Sequence, residues 1–347
     1  MTVGHALWPD QLTAGDLARL RPGLPEHLDR QPDILVVGGG ILGCATAAAC
    51  VQAGLGSVVV LEREALGAGA SGGAAGLLMP EAHVDTDPPE FVAAMRRSLD
   101  AWRTLDQIWP GGVGLQPYDW KGHPQARVNP LFALARLASA LPCIATGITA
   151  TGLTCHQGRV TSVSTSAGEL QPGTVVIATG LPPDLPGLED LKQLPASEVK
   201  GHMLCTAPTR LTLPEAVRDA DLARVIDDGR ILVGGTLDVG DSERVVRPGV
   251  TAGMWRELVA AWPALDGVPV EYTWACFRPA HADHLPIVDR LPGLSNAWLT
   301  TGHYKTGILM APATGQALAD WINTGAAPAD MAPFRLSRSS LGNRDQE

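Results

Sequence analysis

The stretch DILVVGGGILGCATAAACVQAGLGSVVVLE, residues 33–62, decides the fold. Its first five residues form an apolar run of the length of a buried strand. Gly38, Gly40 and Gly43 then supply G-x-G-x-x-G through Gly39, Ile41 and Leu42. In that pattern the first glycine makes the sharp turn, the second admits a pyrophosphate to the backbone, and the third lets helix and strand pack closely. The small apolar residues from Gly43 to Ala53 suit a helix pressed on a sheet, and its N-terminus offers free N–H groups and a positive dipole end to phosphate. A second strand follows from Ser57 to Leu61. Glu62 closes it, where a carboxylate can accept hydrogen bonds from a ribose. A glycine-rich turn in an ordinary α/β protein explains the glycines but not Glu62. A membrane span explains the hydropathy but not the glycines or the strand-like valines. The reading is a strand–helix–strand unit that binds a dinucleotide.

The 347 residues suffice for two domains or one large composite. A hydrophobic content of 45% and a charged content of 18% give ample core, and the net charge of −10 argues against nucleic acid or an anionic membrane as partner. Cysteines 44, 50, 143, 155, 205 and 276 form no CxxC pattern and read as reduced thiols, neither a disulfide frame nor a zinc site. The N-terminus has no charged-then-apolar signal, so a cytoplasmic enzyme is expected.

Outward from the deciding stretch, residues 1–32 read as a surface extension with a short helix over 13–20. Residues 67–76 are ten small residues in a row, a second place where backbone can approach a large ligand. Amphipathic helices are expected over 90–109 and, capped by Asn129 with Pro130 first, over 130–141. Gln157-Gly158 between 151–155 and 159–165 suits a hairpin. Residues 174–180 form a strand ending on Gly180, a further close approach to the cofactor. Strands at 199–205, 230–236 and 268–275 with a helix over 250–262 read as an antiparallel sheet over the nucleotide domain. The tail returns as a strand at 296–301, a loop at 302–307 and a helix over 308–323.

These motifs together resemble the FAD-dependent amine oxidase superfamily that includes glycine oxidase, D-amino-acid oxidase and monomeric sarcosine oxidase. The resemblance covers about residues 33–325. It rests on GGGILG, Glu62-Arg63, ASGGAAG at 70–76, VVIATG at 175–180, VKGHM at 199–203, ACFRPAHADHLPIVD at 275–289 and TTGHYKTGILMAPATG at 300–315. It implies an α/β fold: a Rossmann-type FAD-binding domain (33–85, 125–190 and 276–330) with a second, antiparallel-sheet substrate domain (86–124 and 191–275), between the 1–32 extension and a 331–347 tail. Gly38, Gly40, Ile41, Leu42, Gly43, Glu62 and Arg63 would hold the adenosine and pyrophosphate. Ser71, Ala75, Gly76 and Gly180 would line the FAD. Gly302, His303, Lys305, Thr306 and Gly307 would face the flavin ring, where a helix dipole stabilises its anionic reduced form.

Arg278 falls where glycine oxidase-like enzymes clamp the substrate carboxylate, a task suited to a guanidinium fork. Tyr304 and Lys305 are expected beside it, with Met79 and His202 as pocket walls. His281, Asp283 and His284 suggest a metal only superficially, since the resemblance explains them as loop; no metal is expected. Cys276 stands at the spacing of the cysteine that carries covalent flavin in sarcosine oxidase-like members, against the plainer reading of a buried strand cysteine. The sequence departs from the pattern in three ways. No tyrosine occurs in 222–226, Lys305 replaces a second arginine, and the chain is shortened around 110–127 and 206–230.

The implied reaction oxidises the C–N bond of an amino acid or N-substituted glycine. Hydride passes to flavin N5, the imine is hydrolysed, and oxygen is reduced to hydrogen peroxide. Two alternatives stay open: a dehydrogenase subunit that passes electrons to a partner, and a flavin-binding assembly partner without catalysis. A homo-oligomer is compatible with each.

Overall fold

Apolar side chains on consecutive residues, rather than alternate ones, mark Ile34–Val37 as a strand covered on both faces. In a computed structural model, which describes residues 2–219, 223–226 and 228–342, that strand lies inside a sheet of order Ile287–Arg290, Ala297–Thr301, Thr174–Gly180, Ile34–Val37, Val58–Glu62 and Cys143–Thr146. All neighbours are parallel except Ile287–Arg290, which runs antiparallel at the edge. Helix Ile41–Gln52 packs on one face through its alanines and cysteines. The other face is covered by the hairpin Ala150–His156 and Arg159–Thr165, joined at Gln157 and Gly158, both at positive φ.

Helix Gly307–Thr324 lies beside Ile41–Gln52. Pro312 inside it has no N–H for the carbonyl of Ile308, a loss that normally kinks a helix. Trp102 Nε1 donates to that carbonyl at 2.9 Å, and Ser98 Oγ donates to Leu309 O at 2.6 Å while accepting from Ala313 N. Both side chains come from one face of helix Pro89–Ile108, four residues apart. The repair holds the start of Gly307–Thr324 in place.

The second large sheet has the order Val3–His5, Val270–His281, Ala196–Thr206, Ile231–Gly234, Ala223–Val225, with Asp238–Val239 added beside Ala196–Thr206. Its long central pair is antiparallel over Ala196↔His281 to Cys205↔Tyr272 without a break. Opposed residues share a face. Val199, Gly201, Met203 and Cys205 therefore lie with Arg278, Cys276, Trp274 and Tyr272 on the front, towards the nucleotide domain. Lys200, His202 and Leu204 lie on the back, under helix Pro248–Ala261. A small sheet, Leu77–Leu78, His123–Arg127 and Gln116–Trp120, was not expected from the sequence.

The N-terminal segment is not a surface extension. The expected helix is present as Ala14–Leu20, with Thr13 and Asp16 forming a capping box. Before it, however, Val3–His5 pairs with the sheet edge and Leu7 and Trp8 are buried. Trp8 Nε1 donates to Ala74 O at 2.8 Å, its ring meets Trp274 edge-on, and Thr2 N donates to Ala68 O. The apolar area of Trp8 packed on Trp274 offsets part of the cost of ordering so short a segment. Replacing Trp8 by alanine is expected to cost about 3–5 kcal/mol of stability, read as a shifted urea midpoint.

Much of the 331–347 tail also belongs to the packed structure. Arg338 clamps both carboxylate oxygens of Asp283, and Arg335 and Leu336 N bind Asp289. Residues 343–347 lie outside the described residues. No helix among the described residues is long and apolar enough to cross a membrane.

Candidate functional site

The glycine turn is built as its spacing requires. Gly38 has φ +118°, in the left-handed half of the map, and its N–H donates to Leu61 O. A Cβ on Gly43 would overlap the Gly38 carbonyl oxygen, so only glycine lets helix and turn approach so closely. A Cβ on Gly40, by contrast, would meet only Ser71 Oγ, at 3.4 Å. Gly40 N-caps Ile41–Gln52 and has no side chain of its own to cap the helix end, where first-turn N–H groups have no intrahelical partner. Ser71 Oγ accepts from Ile41 N at 3.0 Å and ties the small-residue segment to that end. Glu62 is tied to the turn: Oε2 accepts from Gly39 N and Oε1 from Glu64 N. Arg63 is exposed beside Glu64.

Ala75 is half-buried, and Gly76, at φ +74°, accepts a backbone hydrogen bond from Val128 N at 2.8 Å. Gly180 O accepts from Gly302 N and from Thr301 Oγ1, which locks the 302–307 loop to the strand end. Within that loop His303 is buried with Nε2 3.3 Å from Thr314 Oγ1, and Thr306 Oγ1 donates to His303 O. Burial, with His281 nearby, holds the His303 imidazole down at about 3, so it is neutral. A Cβ built on Gly307 would lie 3.5 Å from Leu42 Cδ2. The starts of the two helices therefore adjoin, with both positive ends at the top of the parallel sheet. The glycine turn, Glu62 and the start of a second helix thus adjoin at one end of the parallel sheet, and these residues fit FAD.

Arg278 projects from the front face of Val270–His281, half-buried. Its Nη1 donates to Thr236 O at 3.0 Å. A Cβ on Gly201 would overlap the guanidinium, and one on Gly235 would come within 2.8 Å of Nη2. Those three neighbours were not singled out in the sequence, where two glycines and a threonine carry no signal without the strand register. The 302–307 loop reaches Arg278 through the bridge Ala280↔His303 and through Tyr304 N, which donates to Pro279 O at 2.7 Å. Tyr304, at φ +45°, stacks on His284, and Lys305 is exposed with Nζ 5.0 Å from the Tyr304 ring.

Met79 is half-buried at the turn before Pro80–His83. His202 is placed elsewhere than expected. It is fully buried on the back of the sheet, facing away from Arg278, with Nδ1 2.8 Å from Asp238 Oδ2 and Nε2 accepting from Arg247 N. It walls no pocket at Arg278, because its strand position has the opposite parity to Gly201.

Cys276 is 3% exposed, packed against Gly73, and burial pushes its thiol up, which disfavours the thiolate that attachment chemistry uses. His281, Asp283 and His284 do not converge. Asp283 is taken by Arg338 and Ser340, and His284 by Tyr304. Of segment 222–226, Leu222 lies outside the described residues. A cavity of about 480 Å³ opens beside Ala75 and Leu77, walled in part by Trp8, Gln11, Arg127 and Arg224. Trp8 and Gln11 were not expected there, since residues 1–32 read as an outer extension.

A family model described as DAO, FAD dependent oxidoreductase, matches residues 33–117 and 106–321. The bifunctional protein ThiO/ThiG of Trichormus variabilis is 30% identical over 88% of this chain and 55% of its own length. Glycine oxidase of Pseudomonas putida is 34% identical over 53% of this chain and 51% of its own length. The chain spans about half the length of the curated relatives it matches first. The crystal structure of glycine oxidase from Bacillus cereus superposes with a TM-score of 0.73 at 21% identity, over 88% of this chain and 99% of that one.

Proposed function

The chain belongs to the DAO family of FAD dependent oxidoreductases, and from that premise we propose that it oxidises the C–N bond of a small carboxylated amine, an amino acid or N-substituted glycine. The observation that carries this reading is Arg278, whose guanidinium stands on the front face with room left by Gly201 and Gly235 and one nitrogen pinned to Thr236 O. A guanidinium so held offers its remaining N–H pairs to a carboxylate bidentately and stays charged.

Gly38, Gly40, Gly43 and Glu62 would hold the adenosine diphosphate half of FAD, and Ser71, Ala75, Gly76, Gly180 and the 302–307 loop the flavin half. Bound there, FAD supplies two-electron acceptance from a C–H bond and, in this reading, delivery of the pair to oxygen as hydrogen peroxide. Arg278 fixes the carboxylate and so aims the adjacent C–H, a gain of orientation rather than of acid–base chemistry. The N-terminus of Gly307–Thr324 would lend positive potential to a flavin bound there. Lys305, in the same loop, adds a positive charge suited to reduced oxygen species. A neutral amine needs no side-chain base, and water hydrolyses the released imine to a keto or aldehyde product and free amine.

Steady-state assays with glycine, sarcosine, D- and L-amino acids and amines without carboxylates test the reading. Turnover confined to carboxylated amines, with one peroxide formed per oxygen consumed, supports it. Turnover with an artificial dye but not with oxygen favours the alternative of an electron-transferring subunit. No turnover with either acceptor contradicts both.

A further inference from the structure

The hydrogen bonds behind the sheet lead back to Arg278. Thr236, whose carbonyl accepts from Arg278 Nη1, is held almost entirely by His202 and Asp238. His202 N donates to Thr236 Oγ1 at 2.9 Å, and Thr236 N donates to His202 O at 3.3 Å. The Thr236 hydroxyl passes its own proton to Asp238 Oδ2 at 2.6 Å. Asp238 Oδ2 also lies 2.8 Å from His202 Nδ1, which closes the ring. The tautomer follows from the fourth partner. Arg247 N donates to His202 Nε2 at 3.0 Å, so Nε2 is the acceptor and Nδ1 carries the proton given to Asp238.

His202 itself is fully buried, while Thr236 and Asp238 are half-buried at the sheet's margin. The ring of bonds, with the imidazole at its buried end using both nitrogens, favours one geometry over the rest. Its outer edge is fixed separately. Lys200, also fully buried, binds Asp241 Oδ2 at 3.1 Å and Glu243 O at 2.8 Å, and Arg247 Nε binds Asp241 at 2.7 Å. The segment 236–247 is therefore pinned at both ends to the back of the strand whose front carries Gly201, beside the guanidinium.

We infer that His202, Asp238 and Thr236 form a positioning relay that fixes the orientation of Arg278. These are positioning residues: none faces the front of the sheet, and they act through one carbonyl. The inference deepens the proposed function and rests on Arg278 as the carboxylate anchor. A purely architectural role would make the same bonds but would not couple to Arg278.

A double-mutant cycle on the FAD-loaded protein separates the two. Acetate serves as a non-reactive carboxylate, and its binding is read from the perturbed flavin spectrum. Asp238→Ala removes the carboxylate that holds both the Thr236 hydroxyl and His202 Nδ1. It is expected to weaken acetate about tenfold, with FAD affinity unchanged. Asp238→Asn keeps one acceptor oxygen and is expected to fall between the two. In an Arg278→Met background, Asp238→Ala is expected to cost nothing further. Wild-type acetate affinity in Asp238→Ala, or an equal loss in both backgrounds, overturns the relay while leaving the anchor standing. Acetate binding that does not depend on Arg278, or a wild-type spectrum that acetate does not perturb, overturns the anchor and the relay with it.

Discussion

Replacing Arg278 by methionine is expected to lower kcat/KM for a carboxylated amine by about 10²–10³-fold. Truncating one partner of a buried, hydrogen-bonded charge pair costs about 2–5 kcal/mol, and each 1.4 kcal/mol is a factor of about ten. The loss divides between the two kinetic constants. A carboxylate held equally in ground and transition state shows its loss in KM, whereas the freedom regained by the C–H bond shows in kcat. Arg278→Lys keeps the charge but not the fork and is expected to recover roughly one order of magnitude. Amines without a carboxylate supply the control, since their weaker turnover has no contact to lose. Methionine is close to arginine in length and packs beside Gly201 and Gly235, where the guanidinium now sits. The fold is therefore expected to survive, and FAD content checks that it does. An Arg278→Met enzyme that discriminates for carboxylated amines as well as the parent does would remove Arg278 from the site.

The second large effect is expected at the nucleotide cradle, where two glycines of one motif should behave differently. A side chain at Gly43 collides with the Gly38 carbonyl within the protein itself, so Gly43→Val is expected to damage folding and FAD binding together. At Gly40 the added carbon meets only Ser71 Oγ at 3.4 Å, and the backbone, at φ −74° and ψ 176°, suits any residue. Gly40→Ala is therefore expected to leave the apoprotein's unfolding transition unchanged while obstructing the approach of a pyrophosphate. Displacing two backbone–phosphate bonds worth about 1.5–3 kcal/mol each weakens FAD by about 10²-fold or more. Titration of apoprotein with FAD, followed by flavin fluorescence, reads the difference. Equal FAD affinity in Gly40→Ala and wild type would place the phosphates elsewhere.

The elements legible in the sequence are those specified locally. The G-x-G-x-x-G turn, the Asn129 cap and the Gln157-Gly158 hairpin each carry their conformation within a few residues, and each is present. What escaped depends on long-range pairing. Val3–His5 is too short to alternate, and its partner lies some 270 residues away. Strands Gln116–Trp120 and His123–Arg127 contain Pro117 and Pro124, and half of their residues are exposed, so no strand signal stood out in the region that looked shortened.

His202 shows the same limit at the site. VKGHM alternates, but nothing in it says which parity faces the ligand. That is fixed only by the register with Val270–His281, and a one-residue slip would exchange Gly201 for His202. Arg278 was singled out through a resemblance spanning many residues, and the strand register sets it on the front face. The carbonyl that holds it was not, because it belongs to a turn reached from a third strand.

Anaerobic mixing of the FAD-loaded protein with excess glycine, sarcosine and a set of D- and L-amino acids decides whether carboxylated amines are its substrates. At least one carboxylated amine is expected to bleach the flavin absorbance completely in a single turnover, the matching amine without its carboxylate to do so far more slowly, and admitted oxygen to restore the colour. A flavin that no carboxylated amine reduces, in a protein that binds FAD tightly, would contradict the proposed function.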